Sequence, residues 1–314
     1  MCFRKGSRST QATRFKVELL SVEKVWGTAP HSAFGDVIRF GDRWWCTFRE
    51  AKTHWESIGV VRVITSSDAK NWDSAALLSE PEIDLRDPKL SITPDGRLML
   101  LMGGCVLAPD GTYLTRSPRV MFSIDGHNWT QSRRLLSEDH WLWRATWHDG
   151  IAYSLSKLGE GSEPRRGFLY SSNDALEWDW ITEFKVDGVS ETTLRIMPDG
   201  EMIALIRPGY VGSSTYPYTK WSYFQLADQM IGGPNFIRLP DGRLLAGARR
   251  YSVDGADMAL AWMTKDSYEW VFKLPSGGDC SYPGFVWYND LLWVTYYSSH
   301  EGKAQIYLAT VDVG

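Results

Sequence analysis

Four cationic side chains recur at one register of a repeated segment. Arg49, Lys157, Arg207 and Arg249 each stand seven residues after a turn residue, at Asp42, Gly150, Gly200 and Gly242; Gly103 and Tyr297 hold the same place after Gly96 and Asp290. A guanidinium presents a rigid donor fork that suits a carboxylate, so cations at equivalent positions could surround an anionic ligand. The competing reading pairs each cation with a neighbouring acid. Glu191 precedes Arg207 by sixteen residues and Tyr282 precedes Ser298 by sixteen, which puts the two groups at comparable depths. Asp87, in Arg86-Asp87-Pro88, shares the register of Glu191 and either faces the same space or stabilises a turn with Arg86. The stretch from Phe48 to Glu56 supplies Glu50, His54 and Glu56, each able to transfer a proton or to sit as a solvated loop charge. His54 could equally be a hydrogen-bond donor to a ligand. His31 and Asp36 open the first repeat, where Asp36 could bind a ligand hydroxyl or cap a strand.

The elements that must position these groups are short strand pairs. Turns at Asp42, Gly96, Gly150, Gly200, Gly242 and Asp290 are separated by 54, 54, 50, 42 and 48 residues. Apolar runs of five to seven residues flank Pro94-Asp95-Gly96, Pro198-Asp199-Gly200 and Pro240-Asp241-Gly242, the composition of hairpin turns. Such runs are too short for helices. A period of this size predicts an all-β, six-bladed β-propeller of four-stranded antiparallel blades. Equivalent blade ends then meet around one axis, and residues far apart in sequence share one pocket. A second motif, Ser-x-Asp-x-x-x-Trp, occurs at Ser66–Trp72, Ser123–Trp129 and Ser172–Trp178, with a looser copy at Thr264–Trp270. Its Asp can accept backbone N–H groups and close a turn while the Trp plugs the blade beside it.

The repeat runs from about residue 26 to residue 311 without a linker, so one propeller domain over residues 15–314 is expected, preceded by a flexible, basic tail at residues 1–14. The 314 residues carry 43% hydrophobic side chains, enough for a sizeable core, and a formal net charge of −4 that gives no reason to expect nucleic-acid or membrane partners. No apolar run is long enough for a membrane span and the first residues lack an apolar signal core. The compartment is open, cytoplasmic by default. Cys2, Cys46, Cys105 and Cys280 show no metal spacing, and the six His lack ligand spacing, so no metal and no cofactor are expected.

The Ser-x-Asp-x-x-x-Trp turn resembles the Asp box of sialidase-type propellers, and the resemblance covers most of the chain. Glu191…Pro198-Asp199-Gly200…Arg207 resembles the sialidase stretch that carries the glutamate and the second arginine of the substrate-binding triad. Arg249, thirty-three residues ahead of Tyr282, looks like the third arginine and the nucleophilic tyrosine that follows it; Ser281-Tyr282 with Asp290 and Tyr297 fits the tyrosine blade. The resemblance implies a retaining exo-glycosidase acting on a terminal acidic sugar, sialic acid or a related keto-sugar acid. Tyr282 would be the nucleophile, Glu191 its base, and Arg207 and Arg249 the carboxylate clamp, with a glycan or small acidic sugar as partner. The general acid falls to the loop after blade one, to Glu56 with Glu50 behind it. The departure lies in blade one, where sialidases carry their first arginine and this chain has His31-Ser32-Ala33-Phe34-Gly35-Asp36. Arg49 could reach across instead. Two rivals stay in view: a different propeller glycosidase or lyase using His31, Asp36, Arg49, Glu50 and His54, and a carbohydrate-binding propeller without catalysis.

Overall fold

Alternating apolar runs separated by Gly- and Asp-rich turns fold into six antiparallel sheets in a computed structural model that describes residues 16–159, 164–226 and 230–314. The expected tail at residues 1–14 lies outside the described residues. Five blades are continuous in sequence. Blade one runs through His31–Phe40, Arg43–Ala51, Val60–Ser66 and Asp73–Leu78, and blade two through Ile83–Ile92, Leu98–Leu107, Tyr113–Ser123 and Arg133–Arg134. Blade three has a broken inner strand, Trp141–Leu142 and Thr146–His148, both paired with Ile151–Leu158. In blade six, Cys280–Tyr288, Leu291–Ser298 and Gln305–Asp312 are completed by Glu18–Trp26 from the other end of the chain. That strand closes the ring. The sequence repeat does not announce it, because an outermost strand is only partly buried and its pattern, ELLSVEKVW, barely alternates in burial.

The three Ser-x-Asp-x-x-x-Trp segments form one and the same turn. Asp68, Asp125 and Asp174 each accept the backbone N–H groups two and three residues on, and Trp72, Trp129 and Trp178 each donate from the indole to the carbonyl of Ala69, Gly126 and Ala175. The looser copy at Thr264 closes a hairpin directly, Thr264 facing Ser267 across it.

A second regularity lies on the inner strands. Pairing skips between Ala33 and Asp36, Arg86 and Lys89, Gly232 and Asn235, and Ser281 and Gly284, so four blades carry a bulge at one depth. At each bulge one residue takes a left-handed backbone: Phe34 (φ 67°), Asp87 (52°), Gly233 (55°) and Tyr282 (59°). A bulge re-aims its side chain out of the sheet's alternation, here toward the axis. Three of the four are not glycine, and such residues cost on the order of 1–3 kcal/mol of backbone strain each. The glycine has a separate reason: a Cβ on Gly233 would stand 2.7 Å from Ser281 Oγ and 3.1 Å from the Tyr282 ring. The core sits between neighbouring blades, in layers of Leu, Ile, Val, Ala and Met from adjoining sheets.

Candidate active site

The bulge ends of the blades surround a cavity of about 780 Å³. Tyr282 lines it, fixed by aromatic neighbours on two sides: Phe34 meets its ring edge-on at 5.3 Å and Trp143 lies 5.3 Å away. Its hydroxyl donates to Glu191 Oε1 at 3.0 Å, and Arg207 Nη1 donates to both Glu191 oxygens at 2.9 Å. Glu191 sits just before the inner strand Thr192–Ile196, one hairpin away from Arg207. Burial would raise its carboxyl, but Arg207 and Lys157 outweigh that and hold it down to about 2. Burial, and next the charge of Glu191, push the Tyr282 phenol well above its ordinary value. The pair is therefore carboxylate and neutral phenol, hydrogen-bonded along the path a proton would take.

Lys157, Arg207 and Arg249 all line this cavity, as equivalent blade positions require. The fourth cation of the repeat does not. Arg49 is fully buried, its Nε on Asp84 Oδ1 at 2.7 Å and its terminal nitrogens on the carbonyls of Thr53 (2.9 Å) and Ser57 (2.7 Å). Asp84, from the neighbouring blade, takes it out of reach of any ligand. The expectation that Arg49 could stand in for a blade-one clamp is corrected on that ground. Arg86 comes into the wall instead, donating to Asp84 Oδ2 at 3.1 Å and to the His54 carbonyl at 2.9 Å. At the blade-two position of the register Gly103 leaves room for an aromatic wall, since a Cβ there would stand 2.2 Å from the Trp141 ring.

Glu50 is a second correction. Its carboxylate receives Arg62 at 2.9 and 3.0 Å and the Trp26 indole at 2.7 Å, and it lies outside the cavity lining, joining blade one to the closing strand. Asp36 is a third. It is buried, accepts Leu90 N at 2.9 Å and Arg144 Nη1 at 2.7 Å, and lines a separate cavity of about 300 Å³ toward the hairpin ends of the inner strands. Glu56 does line the main cavity, exposed at its rim, and Asp87 lines it from its bulge. Burial raises the Asp87 carboxyl, with Lys89 and Arg86 opposing.

His31, His54 and Tyr297 meet at a residue that sequence reasoning missed. Asp279 Oδ2 lies 2.6 Å from His54 Nδ1 and 3.4 Å from His31 Nε2; Oδ1 accepts Tyr297 Oη at 2.7 Å and Arg249 Nη2 at 3.2 Å. The only legible signal was its place three residues ahead of Tyr282. Among the described residues this is the cluster with metal-ligand chemistry, its donor atoms lying within 4.8 Å of one another. Arg249 already neutralises the carboxylate, and the short His54 contact is that of a hydrogen bond, so the set reads as a proton network rather than a cation cage. Trp55 and Trp141 line the cavity, whereas Tyr216, Tyr218 and Trp221 pack on blade four. Cys46, Cys105 and Cys280 are free and buried.

No protein-family model matches the chain, and no curated protein matches it. Solved structures do match. A Dyadobacter fermentans protein of unknown function superposes with a TM-score of 0.84 at 16% identity, covering 95% of this chain and 99% of that one. Trypanosoma rangeli sialidase, in a complex with 2,3-difluorosialic acid described as a covalent intermediate, gives 0.73 at 11% identity over 91% of this chain; the chain spans 54% of that longer protein. The GH93 α-L-arabinofuranosidase of Fusarium graminearum, with arabinobiose, gives 0.72 at 13% identity over 93% of this chain and 97% of that one. The fold is a sialidase-like six-bladed β-propeller.

Proposed function

We propose that the chain is a sialidase-like exo-glycoside hydrolase that releases a terminal acidic sugar, sialic acid or a related keto-sugar acid, with retention. The observation that carries this reading is the Tyr282–Glu191–Arg207 chain of hydrogen bonds, 3.0 and 2.9 Å, on the wall of a cavity large enough for one sugar ring. A sugar with a carboxylate on its anomeric carbon repels a carboxylate nucleophile, whereas a phenol stays neutral until its proton leaves. Glu191 accepts that proton as Tyr282 Oη bonds to the anomeric carbon and the glycosidic oxygen departs with the leaving group, and water later releases the sugar from the tyrosine. Lys157, Arg207 and Arg249 supply positive charge around the same space, and Arg86 adds a guanidinium from the blade-two side. An arabinofuranosidase on the same fold keeps a neutral sugar in contention. The four cations favour an acidic one.

The test is turnover of fluorogenic acidic and neutral glycosides by wild type and Tyr282→Phe. Release from an acidic ketoside should fall at least a thousandfold in the variant, with the melting temperature changed by only a few degrees. Full activity in Tyr282→Phe would sink the covalent mechanism. An acidic glycan retained unchanged through hours of incubation would favour a binding propeller.

A further inference from the structure

We propose that His54, held by Asp279, is the proton-transfer residue for the leaving group, a role given to a carboxylic acid in most glycosidases. This rests on the glycosidase reading above. His54 lines the cavity with its side chain 29% exposed, and its Nδ1 lies 2.6 Å from Asp279 Oδ2. Its other nitrogen, Nε2, makes no hydrogen bond among the described residues, where the ring's one such contact is Nδ1 to Asp279. The ring is clamped by Trp55 at 4.7 Å and by Phe34, edge-on, at 5.0 Å, while the His54 carbonyl takes Arg86 at 2.9 Å. Phe34 also meets the Tyr282 ring, so nucleophile and acid both touch one side chain.

Asp279 makes the assignment of protons. Hydrogen bonds from His31, His54 and Tyr297 overcome its burial and hold the carboxyl far below the ordinary carboxylate range, so it only accepts. The Nδ1 proton of His54 therefore points at Asp279, and Nε2 is left to gain and lose the second proton. His31 cannot compete: burial lowers it toward the neutral form and its Nδ1 is buried without a partner. The charged groups facing His54 are Asp279, His31 and Arg86, with Arg249 behind Asp279; Glu56, Asp84 and Asp87 share the cavity. In the first step the bond from the anomeric carbon to the leaving oxygen breaks, and the oxygen takes the Nε2 proton of the imidazolium. In the second, neutral His54 takes a proton from the attacking water as the tyrosine–sugar bond breaks, and Glu191 returns a proton to Tyr282.

The test compares leaving groups. With His54→Gln, kcat/KM on an acidic ketoside with a poor, sugar leaving group should fall about 10²–10⁴-fold, and with a 4-methylumbelliferyl leaving group less than about tenfold. The basic limb of the pH profile should vanish in His54→Gln, and kcat/KM on the sugar-linked ketoside should also fall in Asp279→Asn, which removes the anionic acceptor of the Nδ1 proton. Nitrogen-15 NMR of the substrate-free protein should show the neutral His54 protonated on Nδ1. Circular dichroism confirms that each variant is folded. Equal losses on both leaving groups, an unchanged basic limb, or activity abolished by a chelator and restored by Zn²⁺ would overturn the assignment. Wild type that releases neither leaving group would instead overturn the Tyr282 reading on which it stands.

Discussion

Arg49 and Arg207 occupy the same place in two copies of one repeat, and the molecule uses them in opposite ways. Arg49 is sealed at 0% exposure by Asp84 and two loop carbonyls, whereas the Arg207 side chain is 25% exposed and shares its carboxylate partner, Glu191, with Tyr282. The partner separates them. Asp84 arrives from the neighbouring blade and is shared with Arg86, while Glu191 belongs to Arg207's own blade and is shared with Tyr282. A repeat fixes where a side chain enters the channel; an acid from elsewhere in the ring decides whether its charge is spent on folding or kept for a ligand.

The comparison breaks if both arginines behave alike on substitution. Arg207→Gln should lower kcat/KM on an acidic ketoside by roughly 10²–10³-fold, since it removes charge from both the substrate clamp and the base. Its melting temperature should fall modestly. Arg49→Gln should do the reverse. Removing Arg49 leaves buried Asp84 with Arg86 and the Gly59 N–H as its partners and takes the donor from two loop carbonyls, at a cost of about 1.5–3 kcal/mol, while activity per folded molecule changes little. Thermal melts read beside initial rates separate the two. A large rate loss in folded Arg49→Gln would return that residue to the site.

What the sequence made legible follows the same division. The period of the turns placed Glu191, Arg207, Arg249 and Tyr282 around one cavity, because hairpin register is a local property that Pro-Asp-Gly turns and alternating runs display. The four bulges were not legible, since Phe34, Asp87 and Tyr282 take a left-handed backbone without a glycine to mark them. Asp84 and Asp279 were missed for a different reason. Each lies beside a residue singled out by the repeat, but its partners, Arg49 for one and His31 and His54 for the other, come from another blade. Pairings of that kind depend on how neighbouring sheets pack, which no local pattern encodes. The closing strand Glu18–Trp26 was hidden likewise, as its partner stands at the far end of the chain.

Acid sharpens the contrast from the Glu191 side. A carboxyl lowered from 4.5 to about 2 in the folded protein contributes stability that is present above pH 4.5 and lost as the pH falls toward 2. A shift of that size corresponds to something on the order of 3 kcal/mol. Glu191→Gln cannot titrate, so the gap in stability between wild type and variant should be widest near neutral pH and should close between these two values. Denaturant melts across that window measure it. A gap independent of pH would mean that Arg207 and Lys157 do not hold the Glu191 carboxylate in the folded state.

The smallest effect expected separates the two loop glutamates. Glu50 and Glu56 stand six residues apart, yet Glu50 takes hydrogen bonds from Arg62, Trp26 and Thr28, while Glu56 lies exposed at the cavity rim. Glu50→Gln keeps the shape but weakens a charge-assisted pair, so it should cost about 1–3 kcal/mol and leave kcat within a few-fold. Glu56→Gln should leave stability within about 0.5 kcal/mol, as surface substitutions do, and change KM more than kcat by altering the rim that a substrate crosses. Rates on the sugar-linked ketoside decide the matter. A thousandfold drop in kcat for Glu56→Gln, with its basic limb lost, would move the proton-transfer role from His54 to this carboxylate, because only the group that protonates the leaving oxygen produces both effects together.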